Sequence, residues 1–394
     1  MAGPHRAGPA TANREPEAYL QLMRTHPATL PAPRAGGLGD ELISRYGAGL
    51  RRRYLILAGL TLATILLALQ AVAVGAYDLS PLKVLMILLG QGEGAQSVVV
   101  FNIRLPRIVA ALVTGWGLGL SGMVTQSLLR NPLASPFTLG MSHGAAFGAA
   151  FAIVFLGAGA VSTSALYSAG SGDFMFSSLY AVTLMAFAGS MAATAVILLL
   201  ARLRKMSASS VILAGVAMSS LFMSGTILIQ YFATEVEIAT VVFWTFGDVA
   251  RSNWREITIL AVATFLISLY FLRRRWDLNA LLAGEETAQA LGVHVTRLRL
   301  LGMFLASLLV ALATAFHGII AFLGLLAPHI SRRLVGGDHR LLVPCSGLVG
   351  SALLLAADTV GRMLLGSGSL PVGVLTSFMG APLFLYLLLK GKRL

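Results

Sequence analysis

The 394 residues contain a single cysteine, Cys345, which excludes an internal disulfide and any cysteine-based metal cluster. Its apolar neighbours mark it as a small packing residue. Charge is scarce as well: charged side chains make up 11% of the chain, and only 16 of them are acidic. No GxxxxGK[ST] loop is present to cradle nucleotide phosphates and no HExxH pair to hold zinc. The chain is therefore expected to have no catalytic residues, resident metal or cofactor of its own. It should neither hydrolyse ATP nor act as a zinc protease. Histidines 143, 317, 329 and 339 lie on different elements and read as hydrogen-bonded packing or loop residues rather than ligands.

Apolar length is abundant instead. With 57% hydrophobic residues and a mean hydropathy of +0.81, the chain holds many uncharged runs, each long enough for a hydrocarbon core ~30 Å thick. This composition points to an all-α polytopic membrane protein. The net charge of +13 would suit a nucleic-acid partner, but the basic residues form short clusters between apolar runs, as membrane topology requires.

Residues 1 to 50 carry six prolines before Arg34 and are expected to form a disordered cytoplasmic tail. Residues 51 to 394 form the transmembrane domain. Arg51 to Arg53 flank the first span as cytoplasmic residues should. Ten apolar spans follow, at about 54–75, 105–128, 137–157, 179–201, 208–231, 256–273, 299–318, 320–335, 341–361 and 372–389. With the N-terminus inside, 18 lysines and arginines after residue 50 fall on the inner side and six on the outer. The bias predicts an even number of spans with both termini in the cytoplasm, and the chain is expected in the cytoplasmic (inner) membrane.

The stretch from Phe101 to Gly148 organises the rest. Arg104 and Arg107 flank Pro106 at the mouth of an apolar helix, Asn131-Pro132 and Pro136 break it, and Gly140, Gly144 and Gly148 recur at every fourth place. That glycine spacing lets helix backbones approach closely in lipid. RLPR followed by SGMVTQSLLRNPLASPFTLGMSHGAAFG resembles the signature of the FecCD-type permeases, the membrane subunits of importers for iron-siderophores, haem and cobalamin. SSVILAGVA, AGEETAQALGV, GIIAFLGLLAPHISRRLVGGDHRLLVP, DTVGR and LPVGVLTSFMGAPLFLYLL match the same family in the same order, from about Ala76 to Leu394.

The resemblance implies a type II ABC importer permease fold with two inverted five-helix halves, although internal sequence similarity is faint. It implies a homodimer of this chain, two cytoplasmic ABC ATPase subunits that use ATP and magnesium, an extracytoplasmic substrate-binding protein, and inward passage of a bulky metal chelate by alternating access. The other class weighed is an ion-gradient-driven secondary transporter. Against it, Asp358 is almost alone as a charged residue within the spans, whereas such carriers need buried ionisable sites.

Three sites follow from the family motifs. Arg104, Arg107 and Arg362 are expected at the outer face, where the family receives acidic residues of the binding protein. Guanidinium forks suit carboxylates. These arginines equally suit anchoring of helix ends at the headgroups, or pairing of Arg362 with Asp358 one turn earlier. Ser207, Ala208 and Ser209 match the cytoplasmic gate, with Ala208 where the family commonly has a polar residue; a simple helix cap fits them too. Gly284, Glu285, Glu286, Ala288, Leu291 and Gly292 resemble a coupling helix that fits a groove of the ATPase. The spacing predicts a short helix from Glu285 to Leu291 between the glycines, which would also suit an ordinary connector. Glu235, Glu237, Trp244 and Asp248 in the outer loop are expected to shape the substrate entrance together with the docking surface, and the acids equally suit a solvated loop.

Overall fold

The computed structural model describes residues 35–74, 80–91, 94–158, 172–204, 208–365 and 370–390. Ten helices occupy the ten apolar runs: α1 (Ala35–Ala73), α2 (Leu105–Leu128), α3 (Met141–Phe155), α4 (Gly172–Arg204), α5 (Ala208–Tyr231), α6 (Trp254–Arg273), α7 (Val295–His317), α8 (Leu323–Val335), α9 (His339–Leu365) and α10 (Val372–Lys390). Among the described residues no strand forms beyond one isolated bridge, Phe246 to Ile319. Seven helices, α1, α2, α4, α5, α6, α7 and α9, are long and apolar enough to cross a membrane. The chain is a multi-pass membrane protein.

Residues Met1–Arg52 and Arg53–Leu394 form separate units. Helix α1 begins at Ala35, inside the segment expected to be a disordered tail. The last proline of the tail is Pro33, so nothing from Ala35 onward interrupts a helix. The prolines expected to keep the tail irregular, residues 4 to 33, lie outside the described residues.

Two of the remaining helices are short, α3 with 15 residues and α8 with 13. At 1.5 Å per residue neither helix alone covers ~30 Å of hydrocarbon. Each is entered through left-handed backbone: Gly140 (φ 78°) leads into α3, while Gly318 (φ 78°) and Phe322 (φ 63°) precede α8. Irregular backbone at membrane depth is tolerated where protein buries it. Here Ala134 and Ser135 before α3, and Ile320 and Ala321 before α8, are buried. Each half of the chain thus contributes one break followed by one short helix.

Helix α2 is the centre. In its apolar stretch 78% of residues are buried within the chain, against 17% in α1 and 11% in α5. Glycines let its neighbours approach: a Cβ on Gly115 would run into the Gly350 carbonyl of α9, and one on Gly122 into the Gly324 carbonyl of α8. The Gly140, Gly144, Gly148 series divides its work. A Cβ on Gly144 would stand 2.5 Å from the Gly189 oxygen of α4, and Gly148 meets Met185 of the same helix. Gly140 instead supplies the left-handed turn.

Shorter helical stretches lie outside the ten runs. Pro81–Met86, capped by Ser80, precedes α2, and Ala95–Val98 runs into it through Val99–Arg104. In the loop between α5 and α6, Glu235–Thr245 is a helix whose capping box pairs the Thr234 side chain with the Glu237 N–H and the Glu237 carboxylate with the Thr234 N–H.

Candidate functional site

The charged clusters of this apolar bundle lie at two ends. At the first, Arg107 and Arg362 converge on Asp358, whose side chain is completely buried. Arg107 donates from Nε to both carboxylate oxygens, at 2.9 and 3.2 Å, and its Nη2 lies 2.8 Å from Oδ1. Arg362, one turn beyond Asp358 on α9, brings Nε to 3.2 Å from Oδ2. The remaining donors cap α1. Arg104 Nη1 donates to the Val72 and Ala73 carbonyls at 2.7 and 3.0 Å, and Arg362 Nη1 to Ala71 and Val74 at 3.0 and 2.9 Å. A helix C-terminus leaves its last carbonyls without intrahelical partners and carries partial negative charge, so two guanidinium groups satisfy both needs.

The three arginines expected to face a docking partner thus have internal partners, and the Arg362–Asp358 pair weighed from the sequence is present. Arg104 is buried, while the Arg107 side chain keeps 14% of its surface open. Arg107 Nη2 also lies 3.7 Å from Asp248 of the α5–α6 loop. Beside it, Arg251 donates to the Phe243, Trp244 and Phe246 carbonyls and caps the loop helix. Burial pushes the Arg251 pKa down, partly offset by Asp248. His317 is fully buried; its Nδ1 lies 3.3 Å from Thr114 Oγ1 and its Nε2 2.9 Å from Ser252 Oγ, which makes it a hydrogen-bonded packing residue.

At the second end, three elements hold the last turn of α2. Arg332 of α8 donates to the Gln126 side-chain oxygen, His339 Nε2 of α9 lies 2.8 Å from Ser127 Oγ, and Arg299 Nε of α7 donates to the Leu128 carbonyl at 3.4 Å. Arg299 also forms an ion pair with Glu285. One guanidinium therefore bridges the loop helix and the central helix. That loop helix spans Glu285–Ala290, with Leu291 as its C-cap. Gly284 (φ 125°) and Gly292 (φ 84°) bound it in conformations that other residues rarely adopt. Ala288 is buried against the bundle, whereas Leu291 is 69% exposed. Glu286 follows Glu285 in the first turn, where acidic side chains suit the helix dipole.

A second helix of the same loop, Arg275–Leu282, joins the network through Asn279. Its Oδ1 accepts from the His339 backbone N–H at 2.9 Å and lies 2.7 Å from His339 Nδ1, and its Nδ2 donates to Asp338 at 2.9 Å. Burial works against the Asp338 carboxylate, but the Asn279 amide, the Arg340 backbone N–H and the Arg340 charge outweigh it and hold its pKa below the usual range. Gln126, Asn279 and His339 were not anticipated as a set. The available signal was a polar residue near the end of an apolar run, which in a membrane span has to find a partner.

Of the expected gate, Ser207 lies outside the described residues. Ala208 and Ser209 are the first residues of α5.

Seven helices able to span a membrane, two short helices entered through left-handed turns, glycine contact lines and charged clusters at two ends define a multi-pass membrane protein. Residues 55–390 match the FecCD transport family, and the chain belongs to it. It is a membrane subunit of an ATP-binding cassette importer. A Methanocaldococcus jannaschii protein assigned as an ABC transporter permease is 50% identical over 84% of this chain and 93% of its own. The Haemophilus influenzae molybdate import permease is 38% identical over 86% of this chain and 96% of its own. The Yersinia pestis haemin permease is 35% identical over 74% and 83%. A solved structure described as an inward-facing metal-chelate type ABC transporter aligns with a TM-score of 0.72 and 37% identity, over 85% of this chain and 99% of that one.

Proposed function

We propose that this chain carries a bulky metal chelate, a ferric siderophore, haem or cobalamin, inward across the cytoplasmic membrane by alternating access. The observation that carries the reading is the likeness, along almost its whole length, to the metal-chelate type transporter. The similarity to a haemin permease points the same way, while the molybdate permease among the relatives makes a small oxyanion the competing cargo.

In this reading two copies of the chain form the pore, and α5, with only 11% of its apolar stretch buried within one chain, supplies part of the surface between them. The gate at Ser207 to Ser209 includes the first two residues of that helix, Ala208 and Ser209. Two ATPase subunits, which bind ATP and magnesium, engage the exposed side of the loop helix around Leu291, and both chain termini lie with them in the cytoplasm. An extracytoplasmic binding protein docks at the Arg107 end. Its acids meet a cluster in which Arg104, Arg107 and Arg362 outnumber Asp248 and Asp358, so attraction comes from the cluster's net positive charge. Arg107, the least tied to backbone, is the residue they reach. A gradient-driven carrier is disfavoured because Asp358 is held between two guanidinium groups.

The test is mild-detergent recovery of the tagged chain from native membranes, with partners identified by mass spectrometry. Recovery of an ATPase and a binding protein loaded with a metal chelate is the expected result. A molybdate-like oxyanion on that binding protein would overturn the chelate reading, and repeated recovery of the chain alone would overturn the assembly.

A further inference from the structure

The transport reading leaves unused a groove between the Arg202 end of α4 and the start of α7, a cavity of about 1220 Å³. Its walls combine Arg202 and Arg297 with Leu198, Val293, Leu301 and Phe304. Arg202 is the penultimate residue of the Tyr180–Leu203 span, and Arg297 is the third residue of the Val295–His317 span. Both guanidinium groups therefore stand where hydrocarbon gives way to water. The apolar lining continues from them into the membrane. Leu198 lies one turn back on α4, and Leu301 and Phe304 follow Arg297 by four and seven positions on one face of α7. Leu301 and Phe304 are about two-fifths exposed.

Charge decides what such a groove accepts. No acidic residue lines it among the described residues. Arg202 and Arg297 are exposed, and no hydrogen bond or ion pair ties either of them down among the described residues. The contrast with the Arg107 end, where the arginines hold a buried carboxylate and helix carbonyls, is sharp. Guanidinium forks bind phosphate oxygens in bidentate fashion, and basic residues at a membrane boundary attract anionic headgroups.

We propose that this groove is a binding site for one anionic phospholipid, with its phosphate between Arg202 and Arg297 and an acyl chain along Leu198, Leu301 and Phe304. A neutral lipid would leave the two cations uncompensated, and a soluble anion would leave the apolar wall bare. Gln289 and Gly292 also line the groove, so the headgroup touches the loop that contains Glu285–Ala290. The lipid is therefore placed to steady that loop.

Native mass spectrometry of the purified full chain, titrated with phosphatidylglycerol and separately with phosphatidylcholine, tests the site. The Arg202→Gln/Arg297→Gln variant is expected to bind phosphatidylglycerol on the order of twentyfold more weakly, with phosphatidylcholine unchanged. Arg202→Lys/Arg297→Lys should restore most of the affinity. Arg273→Gln, at a different basic helix end, should lower it less than about twofold. Unchanged phosphatidylglycerol binding in the double glutamine variant would overturn the proposal. So would an equal loss in Arg273→Gln, which would signify bulk attraction. Loss of ATPase association without loss of lipid would assign the groove to a protein partner instead.

Discussion

At the Arg107 end, the arginines converge on one buried carboxylate and on the last carbonyls of α1, whereas at the Glu285 end Arg299, Arg332 and His339 reach from three helices to the last turn of α2. The first arrangement closes on itself. Each charge has an opposite charge or a helix dipole, and all the partners but Asp248 belong to spanning helices or their ends. The second arrangement is open. Its Glu285 side chain is 43% exposed and sits on a short helix bounded by two glycines, so a push on that helix reaches α2 through Arg299. The difference is that one end is closed by internal partners while the other leaves a short helix exposed, and the coupling proposed for that helix rests on this openness.

Removing the shared carboxylate is the largest way to break that comparison. Asp358→Ala leaves Arg107 and Arg362 uncompensated in a buried site and should cost about 3–5 kcal/mol, read as a lowered thermal-unfolding midpoint in detergent. Adding Arg107→Gln should recover part of the loss, because one fewer cation is then stranded. If Asp358→Ala unfolded like the parent, the cluster would not be a strut.

The line of close contacts between the ends comes next. Gly122→Val would force the α2 backbone away from Gly324 of α8 and should destabilise by about 1–3 kcal/mol through overpacking, measured in the same way. An equal loss of transport and of folded protein is expected. A variant with full stability would mean the two helices can separate freely.

The Glu285–Arg299 pair sharpens the comparison from the other side. Partly exposed pairs contribute only about 0–1 kcal/mol, so Glu285→Gln should leave the unfolding midpoint nearly unchanged while uptake falls. The smallest effect belongs to Asp338. Its folded pKa lies below the unfolded value near 3.9, so its stabilisation is fully present above that value and is lost as pH falls through the folded one. Asp338→Asn should therefore be less stable at pH 7 by a few tenths of a kcal/mol, after solvent screening, and should match the parent once the pH has fallen through the folded pKa and the carboxylate is protonated. Parallel stability curves down to that pH would remove Asp338 from the network.

Much of the architecture was legible in the sequence. The apolar runs placed ten helices, and the two glycines placed the loop helix to within one residue of its end. Spacing also offered the Asp358–Arg362 pair, because four positions make one helical turn. The Arg107–Asp358 contact spans 251 positions, and no local pattern encodes which arginine meets which acid. The α1 carbonyls that Arg104 and Arg362 cap are backbone groups, invisible to a reading of side chains. The helix Glu235–Thr245 did have a signal, Thr234 followed three residues later by Glu237, but at eleven residues between two spans it reads as part of one connecting loop. The short lengths of α3 and α8 follow from left-handed residues, one of them Phe322, which composition does not predict.

The most direct test of transmission at the Glu285 end is ATP hydrolysis and substrate uptake measured together in proteoliposomes carrying the assembled transporter with Glu285→Gln. The account predicts sustained hydrolysis and unchanged thermal stability, with uptake per ATP reduced about tenfold, as expected when a coupling free energy is lost. Uptake per ATP equal to that of the parent would contradict it.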